Sequence, residues 1–274
     1  LSGLIPGERG ALDQRFAIFP SNPCPNAFRR YAAARKDAAV QHDAYLVQMT
    51  LITPTASMKG ATHGGRAKCL QRLVRLGMPV PRTVALPFPT VRAIALGQMP
   101  DLTALLAEFD EDALLSVRPS SQDPDWGGPG AILNIGMNDT RHAALSKTLG
   151  QTAATALYVR FLQAYAVHVA HLDPEEFETD QTDSATLDRL LTAYKDEADE
   201  PFPQDPSRQL AGVLSSMARA WEGTSARILR EARGAPADAG LGLVVQEMAL
   251  GVGAAESGSG VIQFVSSDTG QSIV

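Results

Sequence analysis

The stretch from residue 114 to residue 139, LLSVRPSSQDPDWGGPGAILNIGMND, constrains the possible fold more than any other part of the chain. Apolar residues 114–117 predict a strand that ends on Arg118, and residues 131–135 predict another strand after the glycines of 127–130. A guanidinium beside a glycine-rich loop can bind phosphate oxygens, because backbone N–H groups approach a ligand closely where no Cβ intervenes. A hairpin-like connection with glycines that serve only turn geometry explains the same residues, and the stretch alone favours this second interpretation.

The composition is that of a large globular protein. With 274 residues, 45% of them hydrophobic, the chain can bury the core of one large domain or of two lobes. Its formal net charge of −6 argues against a nucleic-acid partner, and no apolar run is long enough to predict a membrane span. Cys24 and Cys69 lie far apart, so we predict no disulfide framework. Because no secretory signal is recognised, we expect a cytoplasmic location.

Apolar periodicity, with glycine and proline between the periodic segments, predicts a mixture of strands and helices. In addition to the two strands named above, we predict strands at residues 45–52, 80–86, 241–248 and 258–265. We predict helices at residues 28–45, 90–96, 102–109 and 155–172, one from the GGR at 64–66 to Gly77, and one capped by Asp205 before Pro206. Arg66 at a helix start is either an anion-binding residue or a surface arginine. The acidic residues between 173 and 200 are interpreted as a solvated helical surface and not as a metal site.

Seven segments occur in the order found in one enzyme family. They are GGR with LGMPVP (64–81), SVR with ILNIGMND (116–139), YVRFLQAY (158–165), FPQDP (202–206), the segment that ends in VQEM (221–248), SGSGV (257–261) and TG (269–270). Together they resemble the N-terminal ATP-binding domain of pyruvate phosphate dikinase, a PEP/pyruvate-binding domain. The resemblance covers about residues 61–274 and leaves residues 1–60 outside it.

The resemblance implies an α+β fold of ATP-grasp type, in which two lobes clamp ATP and a helical subdomain is inserted in the first lobe. We expect an incomplete second lobe, because the chain given stops soon after this lobe begins. The expected divisions are an N-terminal extension of unclear role (1–60), the first lobe (61–139), the helical subdomain (140–205), helices that return to the first lobe (206–240) and the start of the second lobe (241–274).

The resemblance also implies a kinase-type phosphotransferase that passes phosphate from ATP toward a carrier histidine in another domain. Arg118 would contact the ATP phosphates and stabilise charge during transfer, which agrees with a strand-end guanidinium. Arg66 stands at the position of the family's phosphate-binding lysine, and Gly128 and Gly130 lie in the loop over the phosphates. The segment formed by Gln246, Glu247 and Met248 would border adenine. ATP and Mg²⁺ are the expected cofactors.

Departures from the family pattern leave the catalytic interpretation open. The family's loop SMPGMMDT is replaced by residues 124–131, and the arginine that follows SGTGV is absent from residues 264–267. The family's acidic Mg²⁺ ligands follow the TGE motif, and no residue before Val274 takes that role by position, so no metal ligand is predicted. An alternative is a degenerate or truncated paralogue that binds a nucleotide or a partner without catalysis. His142 in RHAA only weakly resembles the family's carrier histidine, and we do not assign it that role.

Overall fold

The computed structural model describes residues 48–252, 256–258 and 260. The helix predicted at residues 28–45, the first part of the strand predicted at 45–52 and nearly all of the strand predicted at 258–265 lie outside the described residues. Within them, helices and strands mix as an α+β chain, which confirms that part of the predicted fold class.

The strands form one five-stranded sheet in the order β1-β2-β5-β3-β4, with every neighbouring pair antiparallel. They are β1 Thr50–Leu51, β2 Thr83–Leu86, β3 Leu115–Ser121, β4 Ile132–Ile135 and β5 Leu241–Glu247. The last strand in sequence thus takes the central position, where Val244 lies opposite both Ala85 of β2 and Arg118 of β3. The domain boundary expected at residue 241 stays a prediction, and it would fall immediately before this central strand.

Most of the helices predicted within the described residues are present, but the one predicted from GGR to Gly77 starts earlier, at Gly60. They are α1 Gly60–Arg75, α2 Phe88–Ala95, α3 Leu102–Leu106, α4 Asp139–Leu149, α5 Gln151–His168, α6 Pro174–Phe177, α7 Ser184–Ala198, α8 Pro206–Glu222 and α9 Thr224–Ala232, with a short 3-10 turn at Pro124–Trp126. The Asp205 side chain caps α8 by accepting a hydrogen bond from the backbone N–H of Ser207 at 3.0 Å, as the Asp-Pro pair predicts. No helix in the described ranges is long and apolar enough to cross a membrane.

The two faces of the sheet pack against different layers, because successive side chains of a strand point to opposite faces. Ala85 and Val244 belong to a small apolar cluster with Ala67 of α1. Val117 and Val245 lie on the other face, in a much larger core with the helices that follow β4. Since Arg118 lies opposite Val244 in the strand register, its side chain leaves the sheet on the α1 face. The α1 face of the sheet therefore carries Arg118, the residue predicted to contact the ATP phosphates.

Gln209 at the start of α8 fixes the turn that follows β4. Its side-chain oxygen accepts a hydrogen bond from the Gly136 backbone N–H at 2.8 Å. Its amide donates to the carbonyls of Met137 at 2.9 Å and Pro203 at 2.7 Å. The side chain is fully buried, so these three bonds replace water for every group involved. The LNIGMND and FPQDP segments of the resemblance are therefore joined in space by a structural side chain.

Candidate phosphate-binding cleft

A kink in α1 brings its backbone into direct contact with β3. Gly64 has φ 83 and ψ 173 inside the helix, and a Cβ there would overlap the carbonyl group of Ser120. The Ser120 hydroxyl donates to the His63 carbonyl at 2.7 Å and accepts from the Ala67 N–H at 3.1 Å. Ser120 thus caps the second segment of the helix from a neighbouring strand. A helical segment therefore starts at GGR, as predicted, but it is preceded by a further segment from Gly60 that the sequence did not predict.

The kink holds Arg66 beside Arg118. Arg66 Nε donates to the Pro119 carbonyl at 2.9 Å, which fixes the guanidinium against the residue that follows Arg118. Burial lowers the pKa of Arg66, and the nearby positive charge of Arg118 lowers it further. The Nε of Arg118 is buried and has no hydrogen-bond partner among the described residues. Two cations predicted separately from the sequence therefore meet at one place.

The glycine loop completes a cleft of about 570 Å³ beside these arginines. Its walls are Gly65, Arg66, Cys69, Leu70, Pro119, Ser120, Ser121, Pro124, Gly127, Gly128 and Pro129. Gly128 rests on the indole of Trp221, whose Cζ3 would lie 3.3 Å from a Cβ at that position. Neither Gly130 nor Arg118 lines the cleft, although each is next in sequence to a lining residue, Pro129 and Pro119. Of the two loop glycines predicted to lie over phosphate, the cleft therefore contains Gly128.

The three residues predicted to border adenine lie at the end of β5 and just beyond it. Gln246 is buried on the α1 face, where its amide donates to the Thr83 hydroxyl at 2.9 Å. The Glu247 N–H donates to the Arg82 carbonyl at 2.9 Å, and the Met248 N–H donates to the Leu114 carbonyl at 2.8 Å. An adenine at this segment would therefore use groups other than these two N–H donors.

The acidic groups needed for a metal ion are not gathered at this cleft. No group of three His, Cys, Asp or Glu side chains close enough to hold a metal occurs within residues 48–252, 256–258 and 260. The described residues therefore do not fit a protein-held Mg²⁺ site, and we derive no step through that ion. Burial lowers the pKa of His63, which favours the neutral ring near the α1 kink.

His142 lies outside the cleft and has a structural partner. Its Nε2 is 2.9 Å from the Thr155 hydroxyl, and its ring packs 5.7 Å from the ring of Tyr158. A second cavity of about 390 Å³ lies elsewhere, between α3 and the ends of β3 and β4. In it, Arg141 is paired with Asp112 at 2.5 Å, so its charge is already compensated. Neither feature adds a group to the phosphate-binding cleft.

The sequence did not predict the structural role of Ser120, which caps the second segment of α1 and lines the cleft. Its role depends on the Gly64 kink, to which it is joined only by the fold. The available signal was a hydroxyl two positions after Arg118, in a stretch that was predicted as a loop and that belongs to β3 in the structure. That position could not by itself reveal the partner, because a serine in a polar loop ordinarily serves the loop.

Comparison with known proteins agrees with the resemblance. The chain is 26% identical over 245 residues to "Pyruvate, phosphate dikinase" of Rhizobium meliloti (strain 1021), covering 76% of this chain and 27% of that protein. It is 29% identical to the Clostridium symbiosum protein of that name, covering 60% and 21%. It is 30% identical to "Pyruvate, phosphate dikinase 1, chloroplastic" of Oryza sativa subsp. japonica, covering 62% and 20%.

These matches concern only part of the relatives. The chain spans about a fifth to a quarter of their length, with 20% to 27% covered in the three proteins named. No family model matches the chain. Over 60–76% of its own length, the chain is therefore a homologue of the pyruvate, phosphate dikinases.

Proposed function

We propose that this chain is the ATP-binding phosphotransferase domain of a pyruvate phosphate dikinase-like protein, with an ATP-grasp fold. Its phosphate tail site is the cleft between the α1 kink, the end of β3 and the Gly127–Pro129 loop. The observation that carries the proposal is the buried, unpartnered Nε of Arg118, whose charge acts on Arg66 in the cleft wall. A buried donor without a partner costs free energy, which an anionic ligand with several acceptor oxygens would recover.

The electrostatics of the cleft favour a polyphosphate over a neutral ligand. Burial lowers the pKa of Arg66, the like charge of Arg118 lowers it further, and no described carboxylate forms an ion pair with either arginine. Guanidinium groups bind phosphate oxygens through parallel N–H donors. The second segment of α1 also begins at this point, and a helix N-terminus adds partial positive charge. All of these contributions act on the same small volume.

The strand register gives the proposed nucleotide a direction. Arg118 lies opposite Val244, whereas the segment proposed for adenine begins at Gln246 and ends at Met248. Met248 follows Val244 by four positions, one position beyond the end of β5, which is roughly 13 Å at the usual rise per residue of a strand. The phosphates would then lie at the Arg118 end and the base at the Met248 end, with the sugar between them.

In the proposed reaction this chain binds and orients the triphosphate and stabilises its charge. Arg118 would contact the phosphate oxygens as negative charge redistributes during transfer. The acceptor would be a carrier histidine in another domain or protein, in the cytoplasm. The chain's similarity to the pyruvate, phosphate dikinases supports this proposal.

Arg118→Ala is expected to weaken ATP binding by about tenfold to a hundredfold, because charge-assisted hydrogen bonds to phosphate are lost. Isothermal titration of the full chain with ATP and Mg²⁺ measures the affinity. Arg189→Ala is the matched control, since this exposed arginine lies on α7 in the helical region. Absence of ATP binding by the wild type would refute the proposed function. Unchanged binding by Arg118→Ala would refute the role of Arg118.

Cys69 offers an independent test, because its exposed thiol lines the same cleft. In a Cys24→Ser variant, saturating ATP and Mg²⁺ are expected to slow alkylation of Cys69 by iodoacetamide. The reduction is about tenfold at roughly ten times the Kd, since only the free cleft reacts. Adenosine without phosphates is the control and should protect much less. Equal alkylation rates with and without bound ATP would show that the nucleotide binds elsewhere.

A further inference from the structure

A third arginine lies against the glycine loop from outside the cleft. Arg233 follows α9, and its Nη1 would lie 2.5 Å from a Cβ at Gly127, with Cζ at 3.7 Å. Gly127 also lines the cleft and has φ 80, a conformation that favours glycine. The missing side chain at Gly127 therefore lets a guanidinium lie directly on a loop whose other side faces the proposed phosphates.

The two arginines near the end of α9 have different roles. Arg230 is 6% exposed, donates from Nη1 to the Trp221 carbonyl at 2.6 Å and stacks 3.7 Å from the centre of the Trp221 ring. Its guanidinium is thus already bound to Trp221, the residue on which Gly128 packs. Arg233 is exposed and forms no side-chain hydrogen bond or ion pair with another described residue. Its five donors remain available to a ligand.

We infer that Arg233 is a third cation of the phosphate site, which contacts the terminal phosphates of a nucleoside polyphosphate across the Gly127 edge of the loop. This inference rests on the proposed function, and it adds a residue that neither the motifs nor the cleft lining identify. Arg66 and Arg118 bind from the sheet side, whereas Arg233 approaches from the α9 side. AMP lacks the terminal phosphates that Arg233 would contact. Arg233 therefore increases the affinity for ATP more than the affinity for AMP.

The contact that Arg233 makes has two components that substitution can separate. Its aliphatic part packs on the loop, and its guanidinium carries the charge. Arg233→Met keeps an unbranched apolar side chain of similar length but removes the charge. Arg233→Lys keeps the charge but removes the planar fork. If packing alone mattered, the methionine variant would bind ATP as the wild type does.

Titration calorimetry with AMP, ADP and ATP, each with Mg²⁺, tests the inference on the full chain. We expect Arg233→Met to weaken ATP binding by about tenfold and AMP binding by less than about twofold, with ADP between them. Arg233→Lys is expected to lose less ATP affinity than Arg233→Met. The control is Arg219→Met, because Arg219 lines a separate groove with Arg92 and Leu96 on the α2 side of α8.

Three outcomes would refute either the proposed function or the role of Arg233. If the wild type binds none of the three nucleotides, the proposed function fails and the inference fails with it. If the wild type binds ATP and Arg233→Met binds it equally well, only the role of Arg233 is refuted. If Arg233→Met weakens AMP and ATP binding by the same factor, Arg233 does not contact the terminal phosphates. Thermal unfolding of each variant confirms that the compared proteins are folded.

Discussion

Gly64→Ala is expected to destabilise the folded chain by on the order of 4 kcal/mol, a large share of the stability of an ordinary domain. Two causes act together. The backbone at φ 83 and ψ 173 lies in a region that is essentially restricted to glycine, and strain of this kind alone costs about 1–3 kcal/mol. The new Cβ would also overlap the Ser120 carbonyl group, which is backbone and cannot rotate away.

The consequences of Gly64→Ala extend from stability to the cleft. To relieve the overlap, α1 must move away from β3, which breaks the bonds of the Ser120 hydroxyl to His63 and Ala67. The same movement separates Arg66 from the Pro119 carbonyl. We therefore expect the remaining folded protein to bind ATP more weakly, although Gly64 itself does not line the cleft.

Urea unfolding followed by circular dichroism and tryptophan fluorescence measures the free energy of unfolding. Gly60→Ala is the matched control, because it changes glycine to alanine in the same helix, and the nearest other atom to its Cβ would be Lys68 Cδ at 3.9 Å. Alanine is the better helix former, so we expect no loss of stability in the control. Equal stability of the two variants would contradict the tight contact between α1 and β3.

The sequence predicted the charged residues of the site better than the geometry that joins them. The sequence singled out Arg118 and Arg66, each with a purely structural alternative until the family resemblance joined them. The prediction that the strand ends on Arg118 was wrong, because β3 continues to Ser121 and pairs with β5 over that length. The contact between Arg66 and Pro119 spans 53 positions of sequence, and the kink at Gly64 depends on Ser120, equally far from Ala67. Local periodicity contains no information about such contacts, so it predicted the helix that follows GGR but neither the segment before it nor the kink between the two.

The strands show the same division between local and long-range information. Alternation and apolar runs predicted where β2, β3, β4 and β5 occur, because a strand's own side chains determine that pattern. The order of strands was not predicted, and β5 lies between β2 and β3 although almost all of the described chain precedes it. The apolar clusters on the two faces of β5 explain this position, since Val244 and Val245 are both fully buried.

Local sequence patterns also could not predict which side chains pack beneath the glycine loop. Glycine and proline predicted a loop at residues 127–130, and its turn chemistry is indeed present in the positive φ of Gly127 and Gly128. Its position depends on Trp221, nearly a hundred residues later, and on Arg230, which is stacked against that indole. Trp221 belongs to the buried side of α8, but the apolar pattern of a helix does not identify the loop that such a residue contacts.

Gln209→Leu is expected to lower the free energy of unfolding by on the order of 4 kcal/mol, with little change in side-chain volume. The substitution leaves the Gly136 N–H and the Met137 and Pro203 carbonyls without their partner. Each buried polar group left unsatisfied costs about 1–3 kcal/mol, and the three losses are not fully additive because they share one site. The segments joined by Gln209 are two motifs of the resemblance, LNIGMND and FPQDP, which makes this a test of their structural role.

Gln151→Leu is the matched control for Gln209→Leu, because Gln151 is exposed and its side-chain contacts with Thr155 and Ser184 are long, at 3.4 and 3.5 Å. We expect that control to stay within about 0.5 kcal/mol of the wild type. Chemical unfolding in urea measures both variants, and the slope of each transition shows whether unfolding remains cooperative. A loss in Gln209→Leu no larger than in the control would mean that water replaces the missing amide. In that case, LNIGMND and FPQDP would not depend on Gln209 to remain joined.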